Sequence, residues 1–224
     1  MQNILEQGIT STVPELDESS RASLVSKMEL YINELILFNS AYNLTNTSDY
    51  DELVVRHILD SLSGYGLIKK YIDEHASSCA DKQFVAGDIG SGGGLPGIPL
   101  AASLPQVQFK LVERMEKRCS FLYNCCGVLG LTNAEVCNLQ AEQVEPELFD
   151  VITFRAFRPL DEKMTKTLLR MVKPGGVLFA YKAKLENIKT EMEGIKKLVN
   201  NYEVFPLKVP GLEDSERNMV VIRK

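Results

Sequence analysis

Asp88 and the glycines at 90, 92, 93 and 94 have the types and spacing in this sequence that come closest to prescribing chemistry. They stand in Asp88-Ile89-Gly90-Ser91-Gly92-Gly93-Gly94-Leu95-Pro96-Gly97, after the apolar run Phe84-Val85-Ala86 and before a helical stretch over 97–103. This is the pattern of a strand, a tight turn and a helix start. Glycines permit positive φ and let the backbone approach a ligand. A helix start adds unpaired N–H groups and partial positive charge, and Pro96 suits its first turn. Such a cradle would hold a nucleotide-like cofactor. Gly92 to Gly97 also satisfies G-x-G-x-x-G, which is weak by itself. Asp88 discriminates further. A carboxylate at the strand tip repels a pyrophosphate but tolerates the ammonium and sulfonium of S-adenosylmethionine, so the spacing favours a methyl donor over a dinucleotide.

Other polar residues fall at strand ends. Glu113 closes the run Lys110-Leu111-Val112-Glu113, 25 residues after Asp88. That is close to the spacing of an acid that accepts both ribose hydroxyls. Arg155 stands between apolar residues at the end of Phe149–Phe157, where it needs an anionic partner or acceptors. The partner could be the methionine carboxylate of the cofactor, an acceptor on the substrate, or a carboxylate of the protein. If it serves the reaction, Arg155→Ala is expected to lose turnover far more than stability. Lys182, after the fifth strand, and Arg217 are similar candidates for a phosphate or a base. Lys117 and Arg118 begin a helix and could meet RNA phosphate, while Arg114 reads as a solvated charge. His57 and Asp60 lie three apart, on nearly one helical face, and by residue type read as structural.

The elements that must position these residues change character along the chain. Thr12-Val13-Pro14-Glu15 has capping-box spacing, Leu24, Met28, Tyr31, Leu35 and Phe38 recur at helical intervals, and 49–62 reads as another helix after a loop over 43–48. From Phe84 onward, strands at 84–89, 107–112, 134–138, 150–154 and 176–181 alternate with helices at 97–103, 115–129, 160–171 and 185–200. Alternation of this kind implies parallel pairing in a doubly wound sheet. Lys173-Pro174-Gly175-Gly176 reads as a turn ahead of the fifth strand. Two final strands, Tyr202–Val209 and Asn218–Arg223, follow without a helix between them, which gives an antiparallel hairpin. The expected fold is α/β and Rossmann-like: a mostly parallel seven-stranded sheet of the class I S-adenosylmethionine-dependent methyltransferases, with a helical extension over 1–75 and a methyltransferase domain over 76–224.

Composition narrows the function classes. At 224 residues, 45% hydrophobic and 25% charged, the chain reads as an ordinary globular protein without a signal peptide or membrane span. Five cysteines without a C-x-x-C and only two histidines point away from disulfide frameworks and metal sites. Net charge −5 argues against a nonspecific nucleic-acid binder. The first 60 residues hold 3 basic and 10 acidic side chains, the remainder 22 and 20, so a selective RNA contact stays open toward the C-terminal side. No Asn-Pro-Pro-Tyr run, Pro-Cys dipeptide, G-x-S-x-G or H-E-x-x-H is present.

Taken together, the sequence resembles the bacterial 16S ribosomal RNA guanine-N7 methyltransferases, the glucose-inhibited division protein B family. The resemblance runs from about Leu37 to Lys224. It is carried by Tyr42-Asn43-Leu44-Thr45, Arg56-His57-Ile58-Leu59-Asp60-Ser61, Asp88 through Pro99, Glu113 with Lys117-Arg118, Arg155-Ala156-Phe157, Lys173-Pro174-Gly175-Gly176, and Glu216-Arg217 before Met219-Val220-Val221-Ile222. It implies S-adenosylmethionine as cofactor, a guanine in the 530 loop of 16S RNA as target (free or within the small ribosomal subunit or an assembly intermediate), a cytoplasmic location, no membrane and a monomer. It implies cofactor contacts from Asp88, Gly90, Gly92, Gly94, Leu95, Pro96, Glu113, Ala141, Glu142 and Arg155, catalytic roles for Arg155 and Lys182, and RNA contacts from Asn43, His57, Lys117, Arg118 and Arg217. Three positions depart from the family pattern: Gln140 where an arginine is common, Ala183 where a glycine is usual, and Arg114 where a small residue is common. The alternative is a methyltransferase for another RNA, a protein or a small molecule.

Guanine N7 offers an in-plane lone pair and has no proton to lose, so this reaction requires alignment rather than a general base. Arginine ordinarily pairs with O6 and N7 together. With N7 reserved for the methyl group, a cation at Arg155 or Lys182 is expected to touch O6 alone.

Overall fold

A computed structural model describes residues 4–76, 83–156 and 158–224. Five helices come first: α1 (Ile4–Thr12), α2 (Glu18–Tyr42), α3 (Tyr50–Leu53), α4 (Asp60–Leu62) and α5 (Tyr65–Ala76), with a π-helical turn, Val54–Leu59, joining α3 to α4. Then follow β1 (Val85–Ile89), α6 (Gly97–Ser103), β2 (Gln108–Glu113), α7 (Glu116–Val128), β3 (Ala134–Asn138), a 3-10 turn (Ala141–Gln143), β4 (Phe149–Arg155), α8 (Glu162–Met171), β5 (Val172–Lys182), α9 (Leu185–Gly194), β6 (Glu203–Pro206) and β7 (Asn218–Arg223).

The seven strands form one sheet in the order β3-β2-β1-β4-β5-β7-β6. Strands β1 to β5 pair in parallel, and β7 runs antiparallel between β5 and β6. The doubly wound sheet with its terminal hairpin is the architecture expected from the alternation of patterns. Side chains alternate across it, as the two-residue period of a strand requires. Val177, Phe179 and Tyr181 of β5 join one buried cluster with the N-terminal helices, α6 and α7, while Leu178 and Ala180 join a second with α8 and α9. The N-terminal helices thus share one continuous core with a face of the sheet: Leu5, Met28, Tyr31, Leu59 and Ile68 are fully or nearly fully buried in the cluster that holds Phe109 and Val151.

Three local expectations need correction. Thr12 does not cap a helix start; it ends α1, and its hydroxyl donates to the Gly8 carbonyl at 2.9 Å. Helix α2 is capped instead by Asp17, whose carboxylate accepts the Ser20 N–H at 2.8 Å. Residues 185–200 do not form a single helix: α9 stops at Gly194, and tight turns carry Ile195 and Val199 into the core. Lys173-Pro174-Gly175-Gly176 lies within β5 rather than before it. Phe149 pairs with Val172 and Val151 with Val177, so this segment is a bulge opposite Asp150, and the Lys173 ammonium grips that carboxylate at 2.7 Å.

Cys119, Cys125, Cys126 and Cys137 are free thiols. Burial raises the pKa of all four, Cys126 to about 11, and disfavours their thiolates. Cys79 lies outside the described residues. Among those residues no cluster of three or more His, Cys, Asp or Glu could hold a metal, and no helix is long and apolar enough to cross a membrane.

Candidate active site

Parallel strands deliver their C-terminal ends to one edge, and the strand order reverses between β1 and β4, the place where open α/β sheets bind ligands. The glycine loop leaves β1 there. Gly90 and Ser91 donate to the Val112 carbonyl at 2.9 and 3.1 Å, which ties the loop to β2. Asp88 lies beneath it with 1% exposure. Its Oδ2 accepts the Ser91 hydroxyl at 2.6 Å and the Gly97 N–H at 3.0 Å, so one carboxylate oxygen clamps both ends of the loop. A Cβ on Gly97 would stand 2.5 Å from that oxygen, and Gly94 holds φ at +92°; neither position admits an ordinary side chain without displacement or strain. Burial pushes the Asp88 carboxyl up to about 6, against the pull of its two hydrogen bonds. Its Oδ1 is buried with no partner among the described residues. Leu95 and Pro96 are part of the loop's frame: Leu95 is buried, and Pro96 stands just before α6.

Glu113 is 5% exposed at the end of β2. One oxygen accepts Gly92 N–H and the other Met115 N–H, each at 2.9 Å, which leaves lone pairs on both. It lines a cavity of about 210 Å3 with Gly90, Val112, Arg114, Met115, Arg118, Leu139, Gln140, Ala141, Glu142, Ala156, Arg158 and Met164. Glu113, Gly90, Ala141, Glu142 and Arg118, all singled out from sequence, therefore meet in one place. Gln140 caps the 3-10 turn through a reciprocal side-chain pair with Gln143, so the departure from arginine has a local structural use. Lys117 is exposed on the first turn of α7. Asn43 ends α2 in a left-handed conformation, φ 51°, and its carbonyl accepts from Arg118 at 3.4 Å.

A second cavity, of about 430 Å3, adjoins the first. Its walls are Asp60, Phe154, Arg155, Ala156, Arg158, Pro159, Tyr181, Lys182, Ala183, Glu191, Leu207 and Arg217. Ala156 and Arg158 belong to both cavities. Ala156 holds φ at +51°, a conformation an alanine rarely keeps away from functional sites.

Arg155 turns its guanidinium toward the N-terminal helices. Nη1 donates to Asp60 Oδ2 at 2.7 Å and to the Arg56 and His57 carbonyls at 3.3 and 3.4 Å, and Nη2 lies 3.3 Å from His57 Nδ1. Arg217 Nε stands 3.3 Å from the other Asp60 oxygen. Asp60 thus bridges two arginines, and the protein-carboxylate partner left open for Arg155 is the one the fold provides. The π-helical turn brings His57 and Asp60 to this point. Burial, reinforced by Arg155 and Arg56, pulls the His57 imidazole down to about 4, so it is neutral near pH 7. Lys182 differs: its ammonium pairs with Glu191 at 2.6 Å and lies 5.9 Å from the center of the Phe154 ring.

Sequence reasoning missed Glu191 and Arg158. Glu191 sits among Glu186, Lys189 and Glu193 in a charged helix that reads as solvated, and Arg158 follows a strand without a pattern of its own.

The family model described as "rRNA small subunit methyltransferase G" matches residues 24–220. The ribosomal RNA small subunit methyltransferase G of Treponema denticola is 38% identical over 93% of this chain and 90% of its own length. That of Hydrogenovibrio crunogenus is 38% identical over 89% and 85%. Among solved structures, the tRNA (m1A58) methyltransferase TrmI of Aquifex aeolicus superposes with a TM-score of 0.52 at 13% identity, over 69% of this chain and 68% of its own; that likeness concerns the fold alone.

Proposed function

Because the chain belongs to the rRNA small subunit methyltransferase G family, we propose that it transfers the methyl group of S-adenosylmethionine to N7 of a guanine in the 530 loop of 16S ribosomal RNA. The observation that carries this reading is the pair of adjoining cavities at the C-terminal edge of the sheet, one beside the glycine loop and Glu113, the other beside Lys182, meeting at Ala156 and Arg158.

The residues of the smaller cavity suit the cofactor. Glu113 keeps acceptor capacity for ribose hydroxyls, and Val112, Met115, Leu139 and Ala141 give apolar surface for a purine. When bound, S-adenosylmethionine supplies an electrophilic methyl group on a sulfonium. The protein has no proton to remove from N7. The glycine loop and Glu113 orient the donor, the larger cavity positions the base, and the two cavities meet at Ala156 and Arg158, where N7, methyl carbon and sulfur must come into line. In this reading Lys182 faces the base, whereas Arg155, occupied by Asp60 and two carbonyls, is a positioning residue that joins β4 to the π-helical turn. Arg217 serves the RNA side as a wall of the larger cavity, His57 by holding Arg155 and Asn43 by holding Arg118, and Lys117 and Arg118 by meeting phosphate. We read the enzyme as a cytoplasmic monomer acting on RNA that is free or held in a small-subunit particle.

The test is to incubate the protein with S-adenosylmethionine and unmodified 16S RNA, naked and in subunits, and to map the modified nucleotide. A single N7-methylated guanine in the 530 loop is the expected product. A methyl group on an exocyclic amine, or on no nucleotide of either preparation, overturns the reading.

A further inference from the structure

Glu191 Oε2 lies 2.6 Å from Lys182 Nζ and 3.2 Å from the Leu160 N–H, while Oε1 takes no hydrogen bond among the described residues. Both side chains line the larger cavity and are largely buried, 14% exposed at Lys182 and 23% at Glu191. An ammonium donor and a carboxylate with one oxygen, Oε1, still free to accept therefore face the same cavity. The edge of a guanine presents the matching groups, an acceptor at O6 for the ammonium and, beside it, donors at N1–H and N2–H for the carboxylate. Adenine offers a donor at N6 and a bare lone pair at N1. Cytosine offers a donor, an acceptor and an acceptor, and uracil ends on an acceptor at O2, opposite the carboxylate. Of the four bases only guanine pairs every group.

We propose that Lys182 and Glu191 together read the Watson–Crick edge of the target guanine, Lys182 donating to O6 and Glu191 accepting from N1–H and N2–H. The inference rests on the methyl-transfer reading and gives it a specificity device. N7 lies on the far side of O6 from N1, so a base held by this edge keeps N7 uncovered. A loop guanine splayed from its neighbours can offer its edge in this way. The contact carries discrimination because Glu191 Oε1, covered by a base that offers it no donor, loses water without a replacement hydrogen bond. Lys182 remains fixed by Glu191 and the Phe154 ring in the absence of the base, so little ordering remains to be done on binding.

The test compares 16S RNA carrying guanine at the target with the same RNA carrying inosine, which keeps O6, N1–H and N7 but lacks the N2 amine. With the unaltered protein kcat/KM is expected to fall roughly tenfold to a hundredfold on inosine, the range for one hydrogen bond to a charged group. Glu191→Gln should lower activity on guanine RNA and bring the guanine-to-inosine ratio toward one, with the dissociation constant for S-adenosylmethionine unchanged. The ratio separates edge reading from a role in holding α9, which would affect both RNAs alike. Equal rates on guanine and inosine with the unaltered protein, or an unchanged ratio in Glu191→Gln, overturn the inference while leaving the methyl-transfer reading intact. No transfer to the guanine RNA at all overturns both.

Discussion

Asp88 and His57 titrate in opposite senses on folding, and their opposition gives a residue-scale prediction. The Asp88 carboxyl is raised from 3.8 to about 6 by burial. Its contribution to stability is complete below about pH 4 and is lost as pH rises through 6. The His57 imidazole is lowered from 6.5 to about 4. Its contribution is complete above 6.5 and is lost as pH falls toward 4. Across pH 4–6 the two slopes oppose each other. Replacing His57 with asparagine removes one of them. In urea unfolding of the ligand-free protein, the stability of wild type relative to His57→Asn is expected to rise by on the order of 2 kcal/mol between pH 4 and 6.5. A pH-independent difference would mean that folding leaves the His57 pKa at its unfolded value. The same two residues mark how far sequence reading reaches. Asp88 was legible because glycine spacing frames it. The use of its carboxylate as a clamp on Ser91 and Gly97 was not, because the closing partner is a backbone N–H that any residue supplies.

At the scale of elements, the alternation of apolar runs and helical stretches placed all seven strands, because burial on two faces repeats every second residue in a strand. The first of the local misses turns on which of two competent groups makes a hydrogen bond. Thr12 and Asp17 can both cap, and Asp17 does. The π-helical turn at Val54–Leu59 was invisible for the same reason, since its apolar residues satisfy the helical period with either winding. That turn matters because it sets His57 and Asp60 against β4. Arg155→Ala therefore has a different expected outcome from the one sequence suggested. Removal of the guanidinium leaves Asp60, 6% exposed, with Arg217 alone, so stability as well as turnover should fall. Breaking a buried pair costs about 3–5 kcal/mol, which corresponds to a drop in Tm of roughly 6–20 °C for a chain of this size. Calorimetry beside a methyl-transfer assay checks this. Full thermal stability with lost turnover would return Arg155 to a direct role in the reaction.

At the scale of the whole molecule, the N-terminal helices are part of the cofactor loop's support. Tyr31 of α2 is fully buried and its hydroxyl donates to the Gly93 carbonyl. Leu44, just past α2, stands within 3.4 Å of where a Cβ on Gly93 would lie. The loop is thus held from beneath by Asp88 and from the side by a segment some 60 residues away in sequence. Tyr31→Phe keeps the ring and its packing and deletes one hydrogen bond. It should cost about 1 kcal/mol of stability and weaken S-adenosylmethionine binding severalfold, as measured by calorimetric titration. Unchanged affinity would show that the loop keeps its shape without α2.

Charge sets the remaining whole-molecule property, how the protein holds a polyanion while carrying a net charge of −5. The acidic residues gather in the first 60 positions, yet the mouth of the smaller cavity is lined by Arg114, Arg118 and Arg158, with Lys117 exposed on the adjoining helix. A molecule of this balance cannot rely on a broad basic face. It gains its RNA affinity from a few phosphates near the site, together with the base in its cavity. Counterion release makes the count measurable: log K falls with log salt at about −0.7 per phosphate for single strands. A slope between roughly −1.5 and −3 is therefore expected for 16S RNA, equivalent to two to four phosphates. Lys117→Ala should reduce its magnitude by about 0.7 and weaken binding to all RNA sequences alike, while S-adenosylmethionine binding stays as it was. Filter binding across a potassium chloride series decides the matter. A slope steeper than about −5 would require a phosphate-binding surface well beyond these four side chains, and an unchanged slope in Lys117→Ala would remove α7 from the RNA path.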